Sequence, residues 1–88
     1  MLIVKILSLG APERYAIRRM VTAVQQELQS SNPRLQMTIT EINDAGQIGQ
    51  YASVLVMPTL VINEKVVCSG RFPTKEEIVS WLNAAANE

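Results

Sequence analysis

Leu2-Ile3-Val4-Lys5-Ile6-Leu7-Ser8-Leu9-Gly10-Ala11-Pro12-Glu13-Arg14 opens the chain with an abrupt change of periodicity. Its first six residues are a short, nearly continuous apolar run rich in β-formers, the pattern of a strand buried in the middle of a sheet. Ser8-Leu9-Gly10 ends the run. Pro12 then stands where the first turn of a helix tolerates it, because the missing N–H would have had no partner there. From Ile17 onward Met20, Val21, Val24 and Leu28 recur at helical spacing, with Arg18, Arg19, Gln25, Gln26 and Gln29 on the remaining surface. A strand therefore feeds through a Gly-x-Pro turn into one amphipathic helix that lies against a sheet.

Ser31-Asn32-Pro33 ends that helix, and Leu35, Met37, Ile39 and Glu41 alternate with Gln36, Thr38 and Thr40 as a half-exposed strand closed by Ile42. Asp44 is placed to cap a short second helix reaching to about Ala52, although Gly46 and Gly49 each weaken it by about 1 kcal/mol relative to alanine. Thr59-Leu60-Val61-Ile62, Asn63-Glu64 and Lys65-Val66-Val67-Cys68 form a hairpin with a two-residue turn, in which glutamate is less comfortable than glycine. Uninterrupted pairing from Ile62 opposite Lys65 sets Cys68 opposite Thr59. Thr74-Lys75-Glu76-Glu77 is a capping box, and Ile78, Trp81, Leu82 and Ala85 supply the apolar stripe of a last helix. The order is βαβαββα, an α/β domain spanning residues 1–88.

At 88 residues and 48% hydrophobic composition, the chain suits one core without disulfide or metal staples. Eight basic and eight acidic residues give zero formal net charge, which argues against nucleic acid and membrane surfaces as partners. One cysteine and no histidine argue against an internal disulfide, a metal site, and Ser-His or Cys-His catalysis. Met37 and Met57 without such ligands read as ordinary core fillers, so no cofactor and no metal are expected. The apolar start, interrupted by Lys5, lacks the form of a signal peptide or membrane span, and the expected location is cytoplasmic.

Three segments now carry a resemblance: the strand, Gly10, Pro12 and helix at the start; Val56-Met57-Pro58-Thr59-Leu60-Val61-Ile62-Asn63; and Ser69-Gly70-Arg71-Phe72-Pro73-Thr74-Lys75-Glu76-Glu77-Ile78. In this order they resemble the compact thioredoxin-like proteins over essentially the whole chain. The resemblance implies a four-stranded mixed sheet with helices packed on it. It also implies that Pro58 is a cis-proline opening the third strand and facing the N-terminus of the first helix. Where the family carries Cys-x-x-Cys, this chain reads Ala11-Pro12-Glu13-Arg14. Family chemistry needs a thiolate whose pKa is lowered by the helix N-terminus, and a second thiol one turn later to resolve a mixed disulfide. Alanine has no nucleophile, and arginine is always charged and cannot accept a proton, so the dithiol oxidoreductase mechanism is not supported.

Two function classes follow. In the first, the cis-proline end is a redox-inactive module that holds an unidentified protein or peptide partner. The backbone of Met57, which the resemblance matches to the residue pairing with an extended segment, is joined there by Ala11, Pro12, Arg14, Tyr15, Pro58 and Thr59. Arg14 has two readings, a donor fork for an anion at the helix N-terminus or a solvated first-turn charge with Glu13 beside it offsetting the potential. In the second class Cys68 acts alone, forming a mixed disulfide with glutathione or a protein. Its competing reading is a small buried hydrophobe, since no histidine or lysine is arranged to activate it. A self-associating subunit, a homodimer paired through an exposed sheet edge, is a further expectation of so small a sheet. Trp81 reads as core, Glu76 and Glu77 as capping residues, and Arg71 as a strand-end charge near Pro58.

Overall fold

Leu2–Leu7 (β1), hydrogen-bonded along both edges, is the axis of the sheet in a computed structural model that describes residues 1–50 and 58–87. Ala11–Ser31 (α1) follows, then Met37–Ile42 (β2), Ala45–Ile48 (α2), Thr59–Ile62 (β3), Lys65–Ser69 (β4) and Lys75–Ala86 (α3). The sheet order is β2-β1-β3-β4, with β1 parallel to β2 and antiparallel to β3, and β3 antiparallel to β4. This is the mixed four-stranded α/β sheet that the family resemblance implied.

The two sheet faces are covered unequally. Leu2, Val4 and Ile6 turn to the face on which α1 and α3 pack, meeting Ile17, Val21 and Val24 of the first helix and Ile78 and Leu82 of the last. Burying each such side chain fully is worth about 1.5–3 kcal/mol, which makes this face the main source of stability. Met20, Leu28, Met37, Trp81 and Ala85 pack around it, half-buried. On the opposite face a smaller cluster joins Leu7, Val61, Ile42 and Ile48, so burial is complete only at the C-terminal end of β1. Ile3, on that same face, is 38% exposed.

Several surface residues of the helices hold backbone that the sheet leaves unpaired. Gln25 and Gln29 of α1 donate to the carbonyls of Met37 and Leu35 at 3.4 and 3.1 Å, fastening the helix to the start of β2. Asp44 caps α2, its Oδ1 accepting from the amides of Gly46 and Gln47 at 2.8 and 3.1 Å. The helix is shorter than expected: it ends at Ile48, with Gly49 and Gln50 in a turn. Two glycines in five residues leave too little helical propensity to extend the single turn. The remainder of that expectation, and Met57, lie outside the described residues.

Asn63 and Glu64 both adopt left-handed backbone, φ 50° and 67°, which is the two-residue hairpin turn whose twist matches the flanking strands. Asn63 tolerates this conformation and also extends the β1–β3 ladder: its amide donates to the Ile3 carbonyl at 2.8 Å, and its Oδ1 accepts from the Ile3 amide at 2.9 Å. Glu64 has no such conformational ease, but its carboxylate meets Lys5 Nζ at 2.6 Å.

The hairpin register departs from the expected one. Ile62 pairs with Lys65 and Val61 with Val66, but a bulge follows, so that Leu60 pairs with Cys68 and Thr59 with Ser69. Cys68 is therefore opposite Leu60, not Thr59. Val67 is the extra residue, and since side chains alternate faces, a one-residue shift sends Cys68 to the face of Leu60 and the helices. Among the described residues no helix is long and apolar enough to cross a membrane.

Asn63→Ala is expected to destabilise the domain by about 1–2 kcal/mol, combining the strain of a left-handed alanine with a lost hydrogen bond to β1. Urea denaturation with an unchanged m-value would measure it; a loss below about 0.3 kcal/mol would show that the Asn63 side chain does not hold the ladder.

Candidate functional site

The strand directions bring three strand ends together. Because β3 is antiparallel to both neighbours, its first residue Thr59 lies beside Leu7 at the end of β1 and Ser69 at the end of β4. Ser8-Leu9-Gly10, Pro58 and Gly70-Arg71-Phe72 must then converge, and the N-terminus of α1 rises from the first of these segments. Gly70 turns at φ 80°, open to glycine without penalty, and its amide donates to the Pro58 carbonyl at 2.9 Å. Between these segments lies a cleft of about 380 Å³ lined by Ser8, Leu9, Gly10, Glu13, Pro58, Gly70, Arg71 and Phe72. Leu9 and Phe72 stand 57% and 50% exposed on it, large apolar groups at the surface.

The charges around the cleft are arranged by their partners. Arg14 neither reaches into it nor points into water: its side chain is 12% exposed, Nη1 donates to the Ser8 carbonyl at 2.8 Å, and Nε lies 3.5 Å from Glu41 Oε1. Glu41, on the inward side of β2, also takes Arg18 Nη1 at 2.9 Å. Arg71 makes a two-pronged pair with Glu77, Nη1 to Oε1 at 2.8 Å and Nη2 to Oε2 at 2.6 Å. Glu77 simultaneously closes the capping box of α3, accepting from the Thr74 amide at 3.0 Å while its own amide donates to Thr74 Oγ1 at 3.2 Å. Its hydrogen bonds from Arg71 first, and then from the Thr74 amide, hold its carboxyl down to about 2.

Glu13 is the exception. Gly10 caps α1 without a side chain, its amide donating to Ser8 Oγ at 3.2 Å. The Glu13 carboxyl folds back over this bare cap so closely that a Cβ at Gly10 would collide with Oε2 and lie 2.9 Å from Cδ. Glu13 Oε2 is buried and, among the described residues, has no hydrogen-bond partner.

Cys68 is 6% exposed within the core formed by Leu60, Ile62, Ile78 and Leu82, and its Sγ is within 3.5 Å of the Arg71 carbonyl as donor. Burial pushes its thiol up from the ordinary range; the Arg71 charge opposes the rise and the Glu77 charge adds to it. A buried thiol held protonated is a poor nucleophile at neutral pH. Among the described residues no group of three or more metal-ligating side chains assembles.

Of the expected binding residues, Pro58 lines the cleft, and the others described do not. Ala11 and Pro12 occupy the first turn of α1, half-buried and exposed respectively. Tyr15, 55% exposed, stands on a different face of α1, along a shallow groove with Arg19, Thr22 and Gln26. Thr59 is buried, its Oγ1 3.1 Å from Ser69 Oγ. Sequence reasoning did not single out Leu9, Phe72 or Glu13 as cleft residues. The signal was present for Leu9 and Phe72, large apolar residues in turns where neither helical nor strand periodicity gives them a core to enter.

The model of the Thioredoxin domain family matches residues 3–83. No curated protein and no solved structure matches the chain.

Two outcomes follow from the site's electrostatics. Iodoacetamide should alkylate Cys68 in the folded protein at least roughly tenfold more slowly than in urea, and equal rates would place the thiol at the surface. Glu77, whose folded value of about 2 lies below its ordinary 4.5, contributes stability that is complete above 4.5 and is lost as the pH falls toward 2. Glu77→Gln should therefore flatten the acid limb of stability across that window; an unchanged limb would mean that the Arg71 and Thr74 contacts do not persist in solution.

Proposed function

This chain belongs to the thioredoxin domain family, and from that premise we propose that it is a redox-inactive member that binds an extended peptide segment of a partner protein. The segment lies in the cleft between the N-terminus of α1, Pro58 and Gly70-Arg71-Phe72. The observation that carries the reading is the cleft itself, which lies at the convergence of three strand ends and is bordered by exposed Leu9 and Phe72. Main-chain pairing with an extended ligand requires no thiol, and apolar rims supply contact area for its side chains.

The loss of dithiol chemistry is part of the same reading. A chain with one cysteine holds no Cys-x-x-Cys, and the resemblance matches Ala11 and Arg14, at the start of α1, to the positions of the family's thiols. Arg14 is turned to Ser8 and Glu41. Single-cysteine redox chemistry has no observation in its favour, because Cys68 lies in the core with its thiol pushed up.

A titration of the isotope-labelled protein with a reduced, carboxamidomethylated unfolded chain tests this function. The expected amide shift changes cluster on Leu9, Gly10, Gly70 and Phe72, and Phe72→Ala weakens binding about fivefold, equivalent to about 1 kcal/mol of lost apolar contact. Perturbations confined to the Tyr15 and Arg19 face, or affinity indifferent to Phe72→Ala, would overturn the assignment.

A further inference from the structure

We infer that the Glu13 carboxylate makes the cleft selective for a peptide segment carrying a basic side chain, lysine or arginine, and that it excludes acidic ones; this rests on the peptide-binding reading above. A helix N-terminus with a bare glycine cap ordinarily attracts anions, because its free amides carry partial positive charge. Here that place is taken. Glu13, in the first turn of α1, brings its own carboxylate back over Gly10, where the residue's lack of a Cβ makes room for it.

The other charges near the cleft are already spent on fixed partners. Arg71 is neutralised by Glu77 at 2.8 and 2.6 Å, and Arg14 is directed to the Ser8 carbonyl and Glu41. Among the described residues Glu13 is therefore the acidic residue lining the cleft that lacks a cationic partner, and its Oε2 has no donor. A buried acceptor without a donor is costly in the free protein, and a ligand that supplies the donor recovers that cost. A cationic side chain does this with a charge-assisted bond, drawing the carboxylate from its fold against Gly10. A glutamate or aspartate in the same place meets like charge without a compensating cation. The exposed Leu9 and Phe72 on the cleft wall suit an apolar residue beside the basic one.

Three capped pentapeptides, identical except for lysine, norleucine or glutamate at the centre and with leucine flanking it, test the inference by shift titration of the wild-type protein, Glu13→Gln and Gly10→Ala. In the wild type the lysine peptide should bind roughly tenfold more tightly than the glutamate peptide, a difference of about 1.4 kcal/mol. Glu13→Gln should reduce that ratio to about two. Gly10→Ala keeps the carboxylate but displaces it from the cap, at a backbone conformation of φ −87° that alanine accepts, and should change the ratio while the protein stays folded. A ratio unchanged by Glu13→Gln, or a preference for the glutamate peptide, overturns the inference. If the three peptides bind the cleft equally, the selectivity falls and the peptide-binding function stands; if none binds there, both fall.

Discussion

Every element takes its place from the two-sided pairing of Leu2–Leu7. The strand bonds in parallel to β2 across six residue pairs and antiparallel to β3 across four, so its position fixes the register of both neighbours. Its side chains alternate between the deep face beneath α1 and α3 and the shallower face where only Leu7 reaches a closed cluster. Asn63 carries the pairing beyond the end of β3 through its bonds to Ile3, so the hairpin turn is tied to the same strand. Were β1 displaced by one residue, its apolar set would exchange faces and both helices would lose their floor.

The cleft is a consequence of that pairing. Antiparallel β3 places its beginning next to the ends of β1 and β4, and the loops leaving those ends have to meet. What the cleft can do is then set by how its charges are paired off. Arg71 with Glu77 and Arg14 with Glu41 are matched, half-buried or at the surface, and each holds a loop or a helix end more than it offers a binding group. Exposed ion pairs of this kind add little stability, but a two-pronged arginine–carboxylate contact restricts geometry, and here it ties the loop after β4 to the cap of α3. Among the described residues of the cleft, Glu13 is left with an acceptor, Oε2, that no donor reaches.

Much of this was legible in residue order. The apolar run of Leu2–Leu7, the Gly10-x-Pro12 turn, the helical spacing of Ile17, Val21 and Val24, and the Thr74 to Glu77 capping box each rest on contacts within a few residues, and each appears where it was read. The two-residue turn at Asn63-Glu64 was equally local. Two local readings fell short. Gly46 and Gly49 stop α2 at one turn, because propensity there is too weak to be rescued without packing. The bulge at Val67 carries no turn residue or glycine to announce it, and it moved Cys68 from one sheet face to the other.

The sequence by itself determined the order of elements, the apolar stripes, the caps and the absence of a second thiol, because all of these depend on residue identity and on spacing within one element. Only the tertiary structure decided which way Arg14 turns, where the Glu13 carboxylate rests, which residues border the cleft and whether Cys68 meets solvent. Each of those depends on partners distant in the chain: Glu41 across the sheet for Arg14, Leu60 across the hairpin for Cys68, Pro58 and Phe72 across the convergence of loops for the cleft. Periodicity reports which face of an element is apolar, but a polar side chain's direction is set by whatever donor or acceptor the fold brings within about 3 Å of it, and that is known only once the strands are in register.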